Sequence, residues 1–190
     1  MNRIRTTLFV AAAPLLLAGC GYNAIQRYDE ESKQAKQQIS VQLQRRADLI
    51  PNLVATVKGF AKQELDVFTQ VTQARAGLAS AVGTGDLKQM AAANDQVTSA
   101  LGRLMVTVEA YPQLKSDQNF LRLQDELSGT ENRIAVARTD YNAAVKKYNA
   151  YIRQFPQVVT AKVTGAKQRE YFEIQTPGAA TAPTVDFKKQ

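Results

Sequence analysis

The stretch from Asp117 to Gln154 constrains this chain most. Phe120, Leu127, Ile134, Tyr141, Tyr148 and Phe155 recur every seven residues without a miss. Leu123, Thr130, Ala137, Ala144 and Tyr151 fill the positions three residues after them. Residues three and four apart share a helix face, so the two rows make one heptad-like seam on one long helix. At 1.5 Å per residue that helix is about 57 Å long. A single apolar seam of that length must be covered by other long helices. Ser116 is placed to cap its start. Phe155-Pro156 ends it, because the residue before a proline avoids the α region.

Three further segments read as helices. From Asp86 to Tyr111, Leu87, Asn94, Leu101 and Val108 form one row, and Met90, Val97, Leu104 and Tyr111 the other. Val82-Gly83-Thr84-Gly85-Asp86 before it reads as a turn plus cap, and Pro112 closes it. Upstream, Ile50, Leu53, Val57, Phe60, Val67, Val71, Ala74 and Leu78 trace a third face, with Pro51 in its first turn and Asp48 as its cap. Tyr22–Arg46 carries only a thin stripe (Ile25, Tyr28, Ala35, Ile39, Leu43), which predicts an exposed stalk that joins the core later. Four long helices joined by short turns predict an all-α fold, an elongated antiparallel four-helix bundle. The other architecture that fits is an open coiled-coil hairpin completed by oligomerisation. Asn94 at an a-like position and the tyrosine-rich seam leave the oligomeric state open. Val158–Val163 fits a helical turn or a short strand. Residues 176–190, rich in Ala, Thr and Pro, predict a disordered tail.

Composition excludes some functions. Histidine is absent, so the commonest general base and metal ligand is missing. The net charge is +7, and removing Arg3 and Arg5 with a leader leaves +5. Acids are interleaved with the bases, which argues against nucleic acid as a partner. One cysteine excludes an internal disulfide. Its position is informative. Asn2–Arg5 holds two arginines, Leu8–Leu17 is apolar, and Leu17-Ala18-Gly19-Cys20 follows. That order is a signal peptide's. The apolar run is shorter than the ~20 residues a spanning helix needs, and Pro14 interrupts it. Small residues before a cysteine resemble the lipobox of bacterial lipoproteins, where the thiol is acylated and the mature chain begins at that cysteine. The reading is therefore a signal peptide over 1–19, a lipid on Cys20, a helical domain over 20–175 and a tail over 176–190. Gly21, in place of the familiar retention aspartate, favours the outer membrane in a two-membrane envelope.

Two stretches carry a family resemblance. One is Val41-Gln42-Leu43-Gln44-Arg45-Arg46-Ala47-Asp48-Leu49-Ile50-Pro51-Asn52-Leu53-Val54, running on to Ala61. The other is Ala110-Tyr111-Pro112-Gln113-Leu114-Lys115, continuing through Leu123–Leu127, Thr130–Ile134, Ala137-Arg138, Tyr141-Asn142 and Tyr148-Asn149 to Phe155-Pro156. With Tyr22-Asn23 and Tyr171-Phe172-Glu173 they resemble the LemA family of bacterial envelope proteins over nearly all of residues 22–173. The resemblance implies a helical bundle attached to a membrane at its N-terminus, with no established biochemical activity. A lipobox stands where that family usually has a hydrophobic span. Its Ile-Asp-Val-Gln-Leu is here Ile39-Ser40-Val41-Gln42-Leu43, and a histidine common before Glu64 is Gln63, so no role of that Asp or His carries over.

The polar residues admit two readings each. Glu64, Arg75, Glu131 and Arg138 lie on or beside apolar rows. A paired-carboxylate acid/base or metal site is the sharp reading. An interhelical salt-bridge set that fixes register is favoured, because no His, Cys or Gly-rich phosphate loop accompanies them. Arg45, Arg46 and Asp48 read as an interhelical turn, either a partner-docking tip or a simple cap. Gly129 suggests a close crossing or a kink. Lys162, Lys167, Arg169, Lys188 and Lys189 bias the C-terminal region towards positive charge, either a solubilising face or a contact for anionic head groups. The expectation is a lipid-anchored envelope scaffold or adaptor with protein partners, no cofactor, no metal and no enzymatic activity. The alternatives are a metal-dependent hydrolase using Glu64 and Glu131, and a self-assembling coiled-coil element.

Overall fold

A computed structural model describes residues 2–172, with side chains from Gly21 onward. The expected tail (176–190) and the Cys20 side chain lie outside the described residues. The helices are α1 (Asn2–Phe60), α2 (Leu65–Thr84), α3 (Leu87–Val108), α4 (Pro112–Lys115), α5 (Gln118–Tyr151) and α6 (Gln157–Thr164). No strand occurs among the described residues, so the chain is all-α. Two compact units form, one from residues up to 46 with 125–172, the other from residues 47–124. Helices α1 and α5 contribute to both.

In the second unit, α2 and α3 form an antiparallel hairpin. Arg103 Nη1 donates to Gln70 Oε1 at 2.6 Å, and Thr84 Oγ1 lies 3.3 Å from Gln89 Oε1. The connection is the turn expected from sequence. Gly85 takes φ 67°, a left-handed conformation that suits glycine, and its N–H donates to Val82 O. Asp86 then caps α3, its side chain accepting from Gln89 N at 2.9 Å. Of the two expected rows, Met90, Asn94, Val97, Leu101, Leu104 and Val108 are buried, while Leu87 and Tyr111 at the ends are half-buried.

The boundary expected near Pro51 is absent. Helix α1 runs through it, and the break falls at residues 61–64. A proline inside a helix has no N–H for the carbonyl four residues back. Here that carbonyl is Ala47 O, and Arg75 Nε of α2 donates to it at 3.3 Å. The third apolar face is thereby split, Ile50, Leu53 and Val57 on α1 and Val71 and Leu78 on α2, all buried, while Phe60 is exposed.

Two expectations for α5 also change. Its cap is Asp117, whose side chain accepts from Phe120 N at 2.9 Å, whereas Ser116 Oγ donates back to Pro112 O and Gln113 O. Its C-terminal end comes at Tyr151, and Phe155 is 83% exposed instead of closing the seam. The seam itself shifts. Leu123, Thr130 and Ala137 are buried, but Val145 and Ile152 then take over from Ala144 and Tyr151. A 3.6-residue helix slips about 20° per heptad against a seven-residue repeat. Three heptads after Leu123 the expected position is about 60° off, and its neighbour, one 100° step on, is only about 40° off.

The first unit pairs the early part of α1 with the later part of α5 and with α6. Tyr28 and Tyr151 meet edge to face at 5.1 Å between ring centres. Ile25 packs with Tyr148, Ile152 and Ala161. The expected stalk is therefore not exposed, since Gly21 and Ile25 are already buried. Residues 157–164, left open by the sequence, are helical.

Candidate functional site

Of the four polar residues expected to cluster, Glu64 and Arg75 belong to the second unit and Glu131 and Arg138 to the first. Glu64 lies in the break between α1 and α2, where it accepts from Tyr111 Oη at 3.2 Å. Arg75 serves Ala47 O. Glu131 pairs with Arg46, a side chain only 5% exposed. Arg138 sits over the Phe172 ring, 4.7 Å from its centre. Arg45, Arg46 and Asp48 lie inside α1 and make no turn. Gly129 marks no helix crossing: a Cβ there would meet only the Arg133 side chain, 3.6 Å away. Among the described residues no group of three or more His, Cys, Asp or Glu side chains could hold a metal.

A site that sequence reasoning missed is built on α5 in the first unit. Asn149 Nδ2 donates to Arg169 O at 2.9 Å, and Asn149 Oδ1 accepts from Arg169 N at 2.8 Å. Asn142 holds Phe172 in the same way, at 3.1 and 2.8 Å. Tyr141 Oη donates to Glu170 O at 2.8 Å. Two amides thus grip the backbone of an irregular segment after α6. Asn142 and Asn149 are seven apart, about 10.5 Å along the helix, and the residues they hold, Arg169 and Phe172, are three apart. The signal in the sequence was the doubled Tyr-Asn dipeptide, Tyr141-Asn142 and Tyr148-Asn149.

Charge fastens the same segment to α1. Arg169 donates to Asp29 Oδ1 from Nε at 2.9 Å and from Nη2 at 2.6 Å. Burial pushes the Asp29 carboxyl up, but hydrogen bonds from Arg169 and Lys33 outweigh it and hold the group below its ordinary value. Burial raises the Tyr141 and Tyr148 hydroxyls, so both stay protonated at neutral pH. Phe172 is 5% exposed and closes the segment. Asp29, Tyr148 and Arg169 also line a cavity of about 400 Å³ with the 164–168 loop. The arrangement holds the irregular backbone of residues 169–172 through main-chain groups and one arginine side chain.

A second surface in this unit lies on α1 and α5. Ala35, Gln38, Gln42, Val136 and Ala137 line an open groove of about 440 Å³. Val136 is 60% exposed there.

Comparison with known proteins agrees with the resemblance read from sequence. The chain matches the LemA family over residues 35–187. It is 31% identical over 180 residues to magnetosome proteins MamQ 1 and MamQ 2 of Paramagnetospirillum magneticum, an overlap of 83% of this chain and 66% of each relative. Protein LemA of Metamycoplasma hominis is 25% identical over 133 residues, covering 70% of this chain and 60% of that protein. The chain thus spans just under two thirds of the length of these relatives.

Proposed function

The chain belongs to the LemA family, and from that premise we propose that it is a lipid-anchored protein of the cell envelope whose helical domain docks other proteins, as a scaffold or adaptor without enzymatic activity. The lipid sits on Cys20, and the domain faces the periplasm or exterior, at the outer membrane where there are two. The observation that carries this reading is Leu17-Ala18-Gly19-Cys20 behind a short apolar run. Packing fits it, because the described packing of the domain begins at Gly21, the residue after Cys20. Among residues 21–172 no helix is long and apolar enough to cross a membrane. The groove beside Val136 offers an apolar surface to a protein partner. That three relatives are named magnetosome proteins favours a role tied to a cellular structure over turnover of a metabolite.

The test has two arms. Cys20→Ala should release the protein from carbonate-washed membranes, and retention there sinks the anchor. Capture of the native, detergent-solubilised protein should bring down a partner that an unrelated lipoprotein does not, and the same proteins on both baits would sink the adaptor role.

A further inference from the structure

We propose that α6 and the turn before it form a second, non-covalent membrane contact, which lays this part of the first unit on an anionic lipid surface. The proposal rests on the lipid-anchor reading for its location. Its physical basis is separate.

Position comes first. A Cβ added at Gly21 would lie 3.5 Å from Thr160 Oγ1 and 3.6 Å from Gln157 Cγ. Helix α6 therefore packs on α1 at the residue that follows Cys20 in the chain. A lipid at Cys20 would bring the head-group plane to this place.

The outward face of α6 has the right chemistry. Ala161 is 3% exposed and faces inward. Val159 and Val163, one turn apart and so on one face, are 54% and 83% exposed. Phe155, in the turn just before, is 83% exposed. Three large apolar side chains are thus left in water beside the proposed anchor.

Charge selects the occupant. From Tyr141 to Arg169 the sequence holds Lys146, Lys147, Arg153, Lys162, Lys167 and Arg169, and no Asp or Glu. Arg169 is taken by Asp29. Lys146, Lys147, Lys162 and Lys167 make no ion pair among the described residues. Apolar side chains on a helix that also carries Lys162, in a stretch that holds no acid between Asp140 and Glu170, suit the boundary between anionic head groups and acyl chains. A helix of eight residues binds such a surface weakly alone. Beside a covalent lipid it needs only to hold a surface already within reach, where effective concentration is high. The contact would then fix how the domain stands on the membrane.

The chain contains no tryptophan, so one introduced residue is a unique reporter. Phe155→Trp and Val163→Trp, with Val106→Trp at an exposed position of α3 as control, would be purified as full-length lipidated protein and placed in vesicles with brominated acyl chains. The expected result is several-fold stronger quenching for the two α6-region variants than for the control, growing when phosphatidylglycerol is added and falling with salt. Quenching no stronger than the control overturns the proposal. A blue shift without quenching overturns it too, since that is burial against protein. The mass of the N-terminal peptide from the same sample reads the anchor separately. If Cys20 carries no lipid but quenching persists in vesicles, the anchor reading fails and the α6 contact stands.

Discussion

Pro51 sits inside α1, and a distant arginine makes that possible, which gives a sharp test of the packing account. Arg75→Met keeps the apolar stem of the side chain but removes the donor to Ala47 O. The lost bond and the unsatisfied carbonyl together cost about 1.5 kcal/mol, at the low end for a charged donor because 3.3 Å is long. Pro51→Ala restores an N–H at position 51 and removes a residue that costs up to ~3 kcal/mol in a helix interior. In that background Ala47 O has its own helical donor, so Arg75→Met should cost no more than about 0.5 kcal/mol. The predicted coupling energy is therefore about 1 kcal/mol, readable from urea unfolding of the four proteins of the cycle. Additive effects, with coupling under about 0.3 kcal/mol, would show that Arg75 does not compensate for the proline.

Three further outcomes follow from the same geometry. Asn149→Ala removes both bonds to Arg169 and should cost about 2 kcal/mol in denaturant unfolding, with faster amide exchange after α6; unchanged exchange would show that the clamp does not hold the segment. Gly129→Ala should raise stability by about 0.5–1 kcal/mol, seen as a higher Tm, because a Cβ there meets only the Arg133 side chain; a loss would imply a crossing the structure does not contain. Asp29, with its native pKa lowered, contributes stability that is full above about pH 4 and is lost as pH falls through its native value. The gap in urea midpoint between wild type and Asp29→Asn should therefore close on acidification below about pH 4, and a constant gap would refute the tether.

What the sequence revealed was whatever depends on a helix burying one face. The rows from Met90 to Val108 on α3 and most of those on α5 are buried as spaced, with Leu87 and Tyr111 at the ends only half-buried, and Asp86 caps where a turn with two glycines ends. The misses have physical causes. Pro51 fits the first turn of a helix, and in the interior the carbonyl it leaves without a helical donor is met by Arg75, 28 residues away. The break at residues 61–64 has no proline or Asn-Gly turn, only Gly59 nearby, so one apolar face was read straight through it. Glu64 was therefore placed on a helical row it does not occupy. The α5 seam drifted because the helix keeps 3.6 residues per turn over a long run. The Asn142 and Asn149 site was the least legible. Its partners are backbone groups, and residues 167–172 show no periodic pattern that would announce them.

The central claim is that a lipid on Cys20 holds this helical domain at a membrane. The most direct test is the intact mass of the N-terminal peptide from protein extracted from its native membranes. The account predicts a chain starting at Cys20, carrying a thioether-linked diacylglyceryl group and, where the envelope adds one, a third acyl chain. A peptide that retains residues 1–19, or an unmodified Cys20, would contradict it.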